Sequence, residues 1–323
     1  MKRVLVIYYS QSGQLIDIVQ SILSPVRESP QVEITLEELK PVNPYPFPWP
    51  FFRFLEVFPE SVLMEPPEME PFAFDAKAEF DLVILAYTVW YLAPAPPMAA
   101  FLKSPEAAIM KDVPVITVVN ARDKWLMAQE KVKAELNRIG ARLIDNAAFI
   151  HQGSSFQHLV STLRWMWTGK KTAFWGMFPP AGVDDREIRG AARFGEAIRE
   201  ALESGEISRG RPVLRGLGAV KVDQDCVIQE TLARPDFVFW AKLIRAAGKP
   251  GSFQRAPLLL LFGLQLLCLL AAAAPILVLY KLFFEQSLRR KIEQRIKYYE
   301  QPSGSSTEKP DNMKKREADH DSI

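Results

Sequence analysis

Cysteine and histidine are scarce in this chain, and their scarcity excludes some classes of function. Only two cysteines and three histidines occur among 323 residues. Two cysteines cannot build a disulfide framework or a cysteine-rich metal centre, and they fit a reducing compartment. We therefore expect neither a structural disulfide nor a metal site.

The chain also lacks a large net charge and an amino-terminal export signal. Its 40 basic and 38 acidic residues give a formal charge of +2, so no broad positive field favours nucleic acid. The first apolar run, VLVIYY from Val4, has six residues and is too short for a secretory signal. These absences predict a cytoplasmic domain with no nucleic-acid partner.

One long apolar run is present near the carboxyl end. Residues 257–280 are 24 uncharged residues. As a helix they would extend about 36 Å, enough to cross a hydrocarbon core of about 30 Å. We predict a transmembrane segment over 257–284, kinked at Pro275, which holds the amino-terminal domain on the cytoplasmic face of a membrane. A buried core helix is the alternative for a soluble protein.

Basic residues lie on both sides of this run. Lysines and arginines precede it from Lys242 to Arg255 and follow it from Lys281 to Lys297. The positive-inside rule therefore does not favour export of the tail. A re-entrant hairpin bent at Pro275, with both ends inside, stays open beside the single span.

Before this run, apolar segments of strand length alternate with segments of helical length. This alternation predicts an α/β domain with a doubly wound five-stranded parallel sheet, whose ligand site lies at the carboxyl ends of the strands. The predicted strands are 2–9, 31–36, 80–87, 113–119 and 142–150, and the predicted helices are 14–23, 97–103, 124–139 and 184–202.

Three of these strands end in polar or aromatic loops. The first loop reads Ser10-Gln11-Ser12-Gly13-Gln14, in which successive amides and hydroxyls could bind an anion at a helix amino terminus. A plain helix cap is the alternative. The second loop contains Thr88, Val89, Trp90 and Tyr91, and the third contains Asn120, Ala121 and Arg122.

These loops resemble those of the flavodoxin-like family, which includes NAD(P)H-dependent flavin and quinone reductases. Ser10, Ser12 and Gly13 match the family's phosphate loop. Residues of the second loop and the following helix match its isoalloxazine loop, namely Trp90, Tyr91, Pro96, Phe101 and Leu102. The resemblance covers residues 1–204. It implies FMN bound by all three loops, with NAD(P)H as a possible electron donor. Leu15 and Thr88 depart from the family pattern.

A narrower resemblance links the chain to membrane-anchored flavodoxin-like proteins labelled dialkylresorcinol condensing enzymes, from dialkylresorcinol and aryl-polyene pathways. Carbon–carbon condensation of the thiolase type needs a cysteine nucleophile with a histidine or asparagine partner. Cys226 lies outside the flavin domain, Cys268 lies in the apolar run, and the histidines show no pattern. We therefore favour an FMN-dependent oxidoreductase that reduces a quinone or another lipophilic intermediate. A non-enzymatic scaffold for pathway enzymes and the condensing activity are the alternatives.

Two aromatic insertions interrupt the predicted domain, at 41–74 and 163–180. Prolines in the first predict irregular structure, and its rings must cover the flavin cleft, a partner or membrane lipid. Simple packing of the insertions on each other is the alternative. Beyond the domain we predict a connector at 205–256 with an interfacial helix from Pro235, a charged helix at 285–300 and a disordered tail at 301–323.

Overall fold

The computed structural model describes residues 1–305, except for the side chains of 155 and 270–288. The strands are β1 (Lys2–Tyr8), β2 (Val32–Glu38), β3 (Leu82–Trp90), β4 (Ala93–Pro94), β5 (Pro114–Ala121) and β6 (Arg142–Ile150). Five of them are parallel and lie in the order β2-β1-β3-β5-β6, and the two-residue strand β4 pairs antiparallel with β3. This is the flavodoxin-like strand order, so the predicted doubly wound sheet is confirmed.

The central strands are apolar on both faces, as strands of a covered parallel sheet must be. Every residue of β5 is buried, and β3 is buried from Leu82 to Tyr87. The register pairs Val4 with Leu82 and Val83 with Val115, which brings the carboxyl ends of β1, β3 and β5 to one edge.

Helices cover the sheet in the predicted places. They are α1 (Gln14–Arg27), α4 (Pro96–Lys103), α5 (Leu126–Ile139), α7 (Asp185–Gly190) and α8 (Ala192–Glu203). The helix predicted over 184–202 is two helices, α7 and α8. Helices α1 and α8 approach so closely that a Cβ at Gly195 would lie 1.8 Å from the Ile22 carbonyl oxygen, so the contact requires glycine there.

The first insertion corrects our expectation of irregular structure. It forms two short helices, α2 (Phe51–Glu56) and α3 (Phe58–Leu63). Pro59 lies in the first turn of α3, where its missing N–H has no helical acceptor to lose. A further helix, α6 (Ser155–Thr168), includes the start of the second insertion and begins with a capping box between Ser154 and Gln157.

Two long helices follow, α9 (Gln224–Ala247) and α10 (Ala256–Glu300). The interfacial helix predicted from Pro235 is the second half of α9, which begins much earlier because Asp223 caps it. The predicted charged helix at 285–300 lies within α10. In the part of the chain that the structure describes, no helix combines the length and apolar character needed to cross a membrane. Side chains 270–284 of the predicted span lie outside that description.

Residues beyond 204 pack into the same core as the sheet. Leu214, Val220 and Val227 are buried, and the Val213 and Leu214 N–H groups donate to the Asp145 carboxylate. The division at 204 stays a prediction.

The tail prediction is corrected at its start. Ser303 is 1% exposed, and its hydroxyl donates to Asp145 Oδ1 at 2.8 Å. Residues 306–323 of the predicted disordered tail lie outside the described residues.

Candidate cofactor site at the carboxyl ends of the strands

The loop between β1 and α1 presents backbone amides rather than a side-chain cap. Gly13 adopts φ 84°, a left-handed conformation, and nothing lies within 4 Å of the position of a Cβ there. Ser10 Oγ accepts from the Ile16 N–H at 3.3 Å, while α1 has no capping side chain at its first residue. Within residues 1–305, no protein acceptor bonds the N–H of Gln11, Ser12 or Gly13. Open amides at a helix amino terminus suit an anion.

The ends of β3 and β5 contribute two polar side chains without partners. Thr88 and Asn120 face each other in the strand register. Thr88 Oγ1 and Asn120 Oδ1 are both buried, and neither has a hydrogen-bond partner among the described residues. Buried polar groups are nearly always paired in proteins, so this pair indicates a ligand that supplies the missing partners.

Aromatic rings close this edge of the sheet. The Trp90 ring centroid lies 6.0 Å from that of Tyr9, 5.0 Å from that of Tyr45 and 5.2 Å from that of Trp49. Burial raises the pKa of Tyr9 and the pKa of Tyr45, the latter to about 12, so both phenols stay neutral. Trp49 is only 5% exposed. The first insertion therefore covers the loop end of the sheet, where the flavin cleft is predicted.

Gln11 fastens the insertion to the first loop. Its Nε2 donates to the Pro46 carbonyl at 2.8 Å, and its Oε1 accepts from Trp49 Nε1 at 3.2 Å. The side chain predicted to face a phosphate thus serves as a link to the insertion.

Tyr91, predicted with Trp90 as a stacking residue, points away from this edge. It adopts φ 49°, its hydroxyl donates to the Phe54 carbonyl at 2.7 Å, and its ring lies 5.1 Å from that of Phe58. It joins a separate apolar group that we call the anchor cluster. The buried members of the anchor cluster are Leu55, Phe58, Val62, Trp240, Ala241, Ile244, Leu259 and Phe262.

The remaining predicted site residues have structural contacts. The Gln14 side chain is 2% exposed and accepts from the Val183 N–H at 3.1 Å, while its Nε2 has no partner within residues 1–305. Val89 pairs with Pro94 of β4, and the Ala121 carbonyl accepts from the His151 N–H at 3.2 Å. Leu15, noted as a departure, is a core residue.

The third loop gathers a charged cluster that the sequence did not reveal. Asp123 lies 3.1 Å from Arg122 and also pairs with Lys124. Burial opposes ionisation of Asp123, but the two cations outweigh it and hold the pKa of that carboxyl well below its usual range.

Two histidines complete the cluster. His151 Nδ1 lies 3.1 Å from Thr162 Oγ1, while His158 Nδ1 is buried with no partner in the part of the chain that the structure describes. Burial lowers the pKa of His151 to about 3 and that of His158 to about 4. Our expectation that the histidines form no thiolase-type constellation stays a prediction, and His320 lies outside the described residues. The position of His151, directly after the fifth strand, was the available signal.

The two insertions pack on each other as well as on the site. The Phe47 and Trp165 ring centroids are 5.5 Å apart, and the Trp49 N–H donates to the Met166 carbonyl at 2.6 Å. Trp175, by contrast, is 83% exposed.

Cys226 is unsuited to the condensing chemistry. It is buried, and its thiol lies 3.3 Å from Glu230 Oε1. Burial, reinforced by Glu230, raises the pKa of the Cys226 thiol well above its usual value. Glu230 in turn accepts from the Leu126 and Met127 N–H groups at the start of α5, a structural role. A reactive thiolate is therefore disfavoured, and the condensing label finds no support.

No protein-family model and no curated protein matches the sequence. Similar solved structures include a flavoprotein in complex with FMN from Lactobacillus acidophilus, 20% identical over 46% of this chain and 93% of its own, with a TM-score of 0.36. A flavodoxin from the domain Archaea is 11% identical over 62% of this chain and 99% of its own, with a TM-score of 0.35. A flavodoxin, WrbA-like protein from Agrobacterium tumefaciens is 10% identical over 63% and 99%, with a TM-score of 0.35. The strand order of the sheet is that of the flavodoxin-like fold.

Proposed function

We propose that this protein is a membrane-bound FMN-dependent oxidoreductase that reduces a quinone or another lipophilic intermediate. One observation supports it above all. Open amides after β1 and unpartnered oxygens of Thr88 and Asn120 after β3 and β5 lie along one edge of three neighbouring strands. Strands are spaced about 4.8 Å apart, so the polar strip is roughly 10 Å long. A ligand with a phosphate at one end and a polar heterocycle at the other suits that strip.

Each residue of the strip has a role in this proposal. The N–H groups of Gln11, Ser12 and Gly13 would hold the phosphate, and Thr88 and Asn120 would meet the polar edge of the ring system. Trp90 supplies the aromatic face, while Tyr45 and Trp49 exclude water. When bound, FMN supplies hydride and single-electron transfer, for which NAD(P)H or a protein would be the donor.

The contacts of the second loop with the anchor cluster support a lipophilic substrate class. Trp90 belongs to the site, and the next residue, Tyr91, belongs to the anchor cluster, which includes the start of α10. The site thus lies one residue away from the structure that would hold the protein on lipid. A substrate dissolved in the membrane would have a short path to it.

A scaffold without cofactor is the second candidate, because one observation favours it. The rings of Tyr45, Trp49 and Trp90 already contact one another at the edge where a ring system would bind. Such a packed edge could serve to hold the insertion in place for docking of pathway enzymes.

Reconstituted full-length protein separates the two candidates. We would incubate it with FMN in liposomes and follow the reduction of a long-chain and a short-chain quinone by NADH and NADPH. The proposal predicts FMN uptake and faster turnover of the long-chain quinone in liposomes than in detergent. Protein that takes up no FMN overturns the oxidoreductase and supports the scaffold. Protein that binds FMN but reduces neither quinone overturns the substrate class alone.

A further inference from the structure

The first turns of helix α10 are bound to the domain through α9 and the first insertion. Trp240 Nε1 donates to Gln265 Oε1 at 2.6 Å, and Gln265 Nε2 donates to Asp236 Oδ1 at 2.8 Å. Phe262 stacks on Phe58 with ring centroids 3.8 Å apart. The entrance to the apolar run is therefore fixed against the domain.

The last turns of α10 are bound to the same domain. Arg295 Nη1 donates to Thr231 Oγ1 of α9 at 2.9 Å, and the Tyr298 hydroxyl donates to Glu130 of α5 at 2.8 Å. Tyr299 is 8% exposed and belongs to the main core. Ser303, beyond the helix end, is buried against Asp145 and Asn146. The exit from the apolar run therefore also contacts the domain.

These contacts are incompatible with a straight helix. Thirty residues separate Gln265 from Arg295, or about 45 Å along a straight α-helix. Their partners, Asp236 and Thr231, lie five residues apart on α9, about 7.5 Å of rise. Even with fully extended side chains, the Cα atoms of Gln265 and Arg295 can be no more than about 32 Å apart. Helix α10 is continuous over this interval, so it must bend between these two residues.

We propose that the apolar segment is a re-entrant membrane anchor that enters and leaves on the side of the domain. This deepens the proposed function, since it rests on the membrane binding proposed there. About 12 residues in each direction give a depth of about 18 Å, enough for one leaflet of a hydrocarbon core about 30 Å thick. Pro275 lies within the interval, and proline is the usual cause of a sharp helix bend.

The described part of α10 shows a surface that suits lipid. Leu260, Leu264 and Leu267 recur at helical spacing on the side away from the anchor cluster, and they are 50%, 59% and 51% exposed. The neighbouring Phe239 of α9 and Phe253 before α10 are 59% and 88% exposed. Acyl chains are the occupant we assign to this face, because it continues into the uncharged run that ends at Tyr280.

The charge distribution supports the same topology independently. The stretch after the run is rich in cations, namely Lys281, Arg289, Arg290, Lys291, Arg295 and Lys297. A single span would carry these cations across the membrane, against the positive-inside rule, whereas a re-entrant segment leaves them on the cytoplasmic side.

Cysteine labelling in sealed inverted vesicles tests the proposal on the full-length protein. Cys268→Ser removes the exposed thiol, while Cys226 is buried and stays. Ser322→Cys reports on the tail, and Ser208→Cys, on the exposed surface of the domain, is the matched control. A membrane-impermeant maleimide should label both sites equally without detergent. Labelling of Ser322→Cys only after detergent would establish a single span and overturn the proposal.

A cross-link provides a second readout on the helix end itself. The pair Glu130→Cys and Tyr298→Cys should be joined by a short bismaleimide in intact vesicles, and Glu130→Cys alone should not form the product. Absence of the cross-link in folded protein would contradict the contact and with it the return of the chain. Protein removed from the vesicles by an alkaline wash would overturn membrane insertion. FMN binding is measured separately, so its failure would leave the labelling result intact.

Discussion

The loops after β1 and β3 end neighbouring strands of one sheet, yet they are held in different ways. Contacts within a few residues set the backbone of the loop after β1, where Gly13 turns the chain into α1 and Ser10 accepts from the Ile16 N–H, while the Gln11 side chain also bonds to the first insertion. Distant parts of the chain fix the loop after β3, through the bond from Tyr91 to Phe54. The first loop is thereby free to present its amides to a ligand. The second connects the site to the insertion and to the anchor cluster.

Removing the central ring of the anchor cluster should have the largest effect, because this cluster supports the loop after β3. Phe58 is 0% exposed and stacks on Phe262, so Phe58→Ala should cost roughly 3–5 kcal/mol of stability. We expect a large fall in Tm of the detergent-solubilised protein. The exposed Phe52→Ala is the control and should change stability by less than about 0.5 kcal/mol. Equal, small effects would show that the cluster does not support the second loop.

The histidines beside the third loop, after β5, extend the comparison to acid stability. Because burial holds the pKa of His158 at about 4, the unfolded chain takes up a proton near pH 6.5 and the folded protein does not. The contribution of neutral His158 to the free energy of unfolding is fully present above pH 6.5 and is lost as the pH falls toward 4. Wild type should therefore lose roughly 3 kcal/mol more than His158→Gln between pH 7 and pH 4.

Denaturation followed across this pH range provides the measurement. Burial raises the pKa of Asp145 to about 6, so Asp145 acts with the opposite sign, but it is common to both proteins and cancels in the difference. Parallel pH profiles for wild type and variant would show that folding does not lower the pKa of His158.

A carboxylate in the first loop should lower the affinity for FMN and leave the fold intact. Ser12→Glu places a negative charge among the open amides, where it repels a phosphate and competes for its donors. Loss of one charge-assisted hydrogen bond, about 1.5–3 kcal/mol, predicts FMN affinity lower by roughly 10- to 150-fold. Ser208→Glu, on the domain surface, should leave affinity unchanged in the same titration. Unchanged affinity for Ser12→Glu would reduce this loop to a helix cap.

Substitutions of the adjacent residues Trp90 and Tyr91 should have the smallest effects, and the two effects should differ in kind. Trp90→Ala should shift the absorption spectrum or reduction potential of bound flavin, because Trp90 forms the aromatic face of the proposed site. Tyr91→Phe removes only the bond to the Phe54 carbonyl and should cost about 1 kcal/mol of stability without moving the potential. The reverse pattern, seen by spectroelectrochemistry, would place Tyr91 on the flavin.

The sheet could be predicted from the sequence because each strand carries its own signal. The runs FDLVILAY and VPVITVV have the continuous apolar character of strands buried on both faces, and both form central strands. The first loop was predictable for the same local reason, since Gly13 follows a strand and precedes a helix.

What depends on distant contacts could not be predicted. Nothing near Tyr91 indicates that Phe54, 37 residues earlier, accepts its hydrogen bond. The prolines of the first insertion likewise gave no sign of its two helices. The charged cluster required β5, β6 and α6 to meet, which only the tertiary structure shows. The choice between a single span and a re-entrant segment was likewise undecided from the sequence. The basic residues on both sides of the apolar run are compatible with a re-entrant segment but do not require one.

Flavin titration of the purified full-length protein tests the central claim most directly. The open amides of the first loop and the unpartnered oxygens of Thr88 and Asn120 predict saturation at about one FMN per chain, with quenching of flavin fluorescence by Trp90. A folded, colourless protein that takes up no added FMN would contradict the account and leave the strip of polar groups without a ligand.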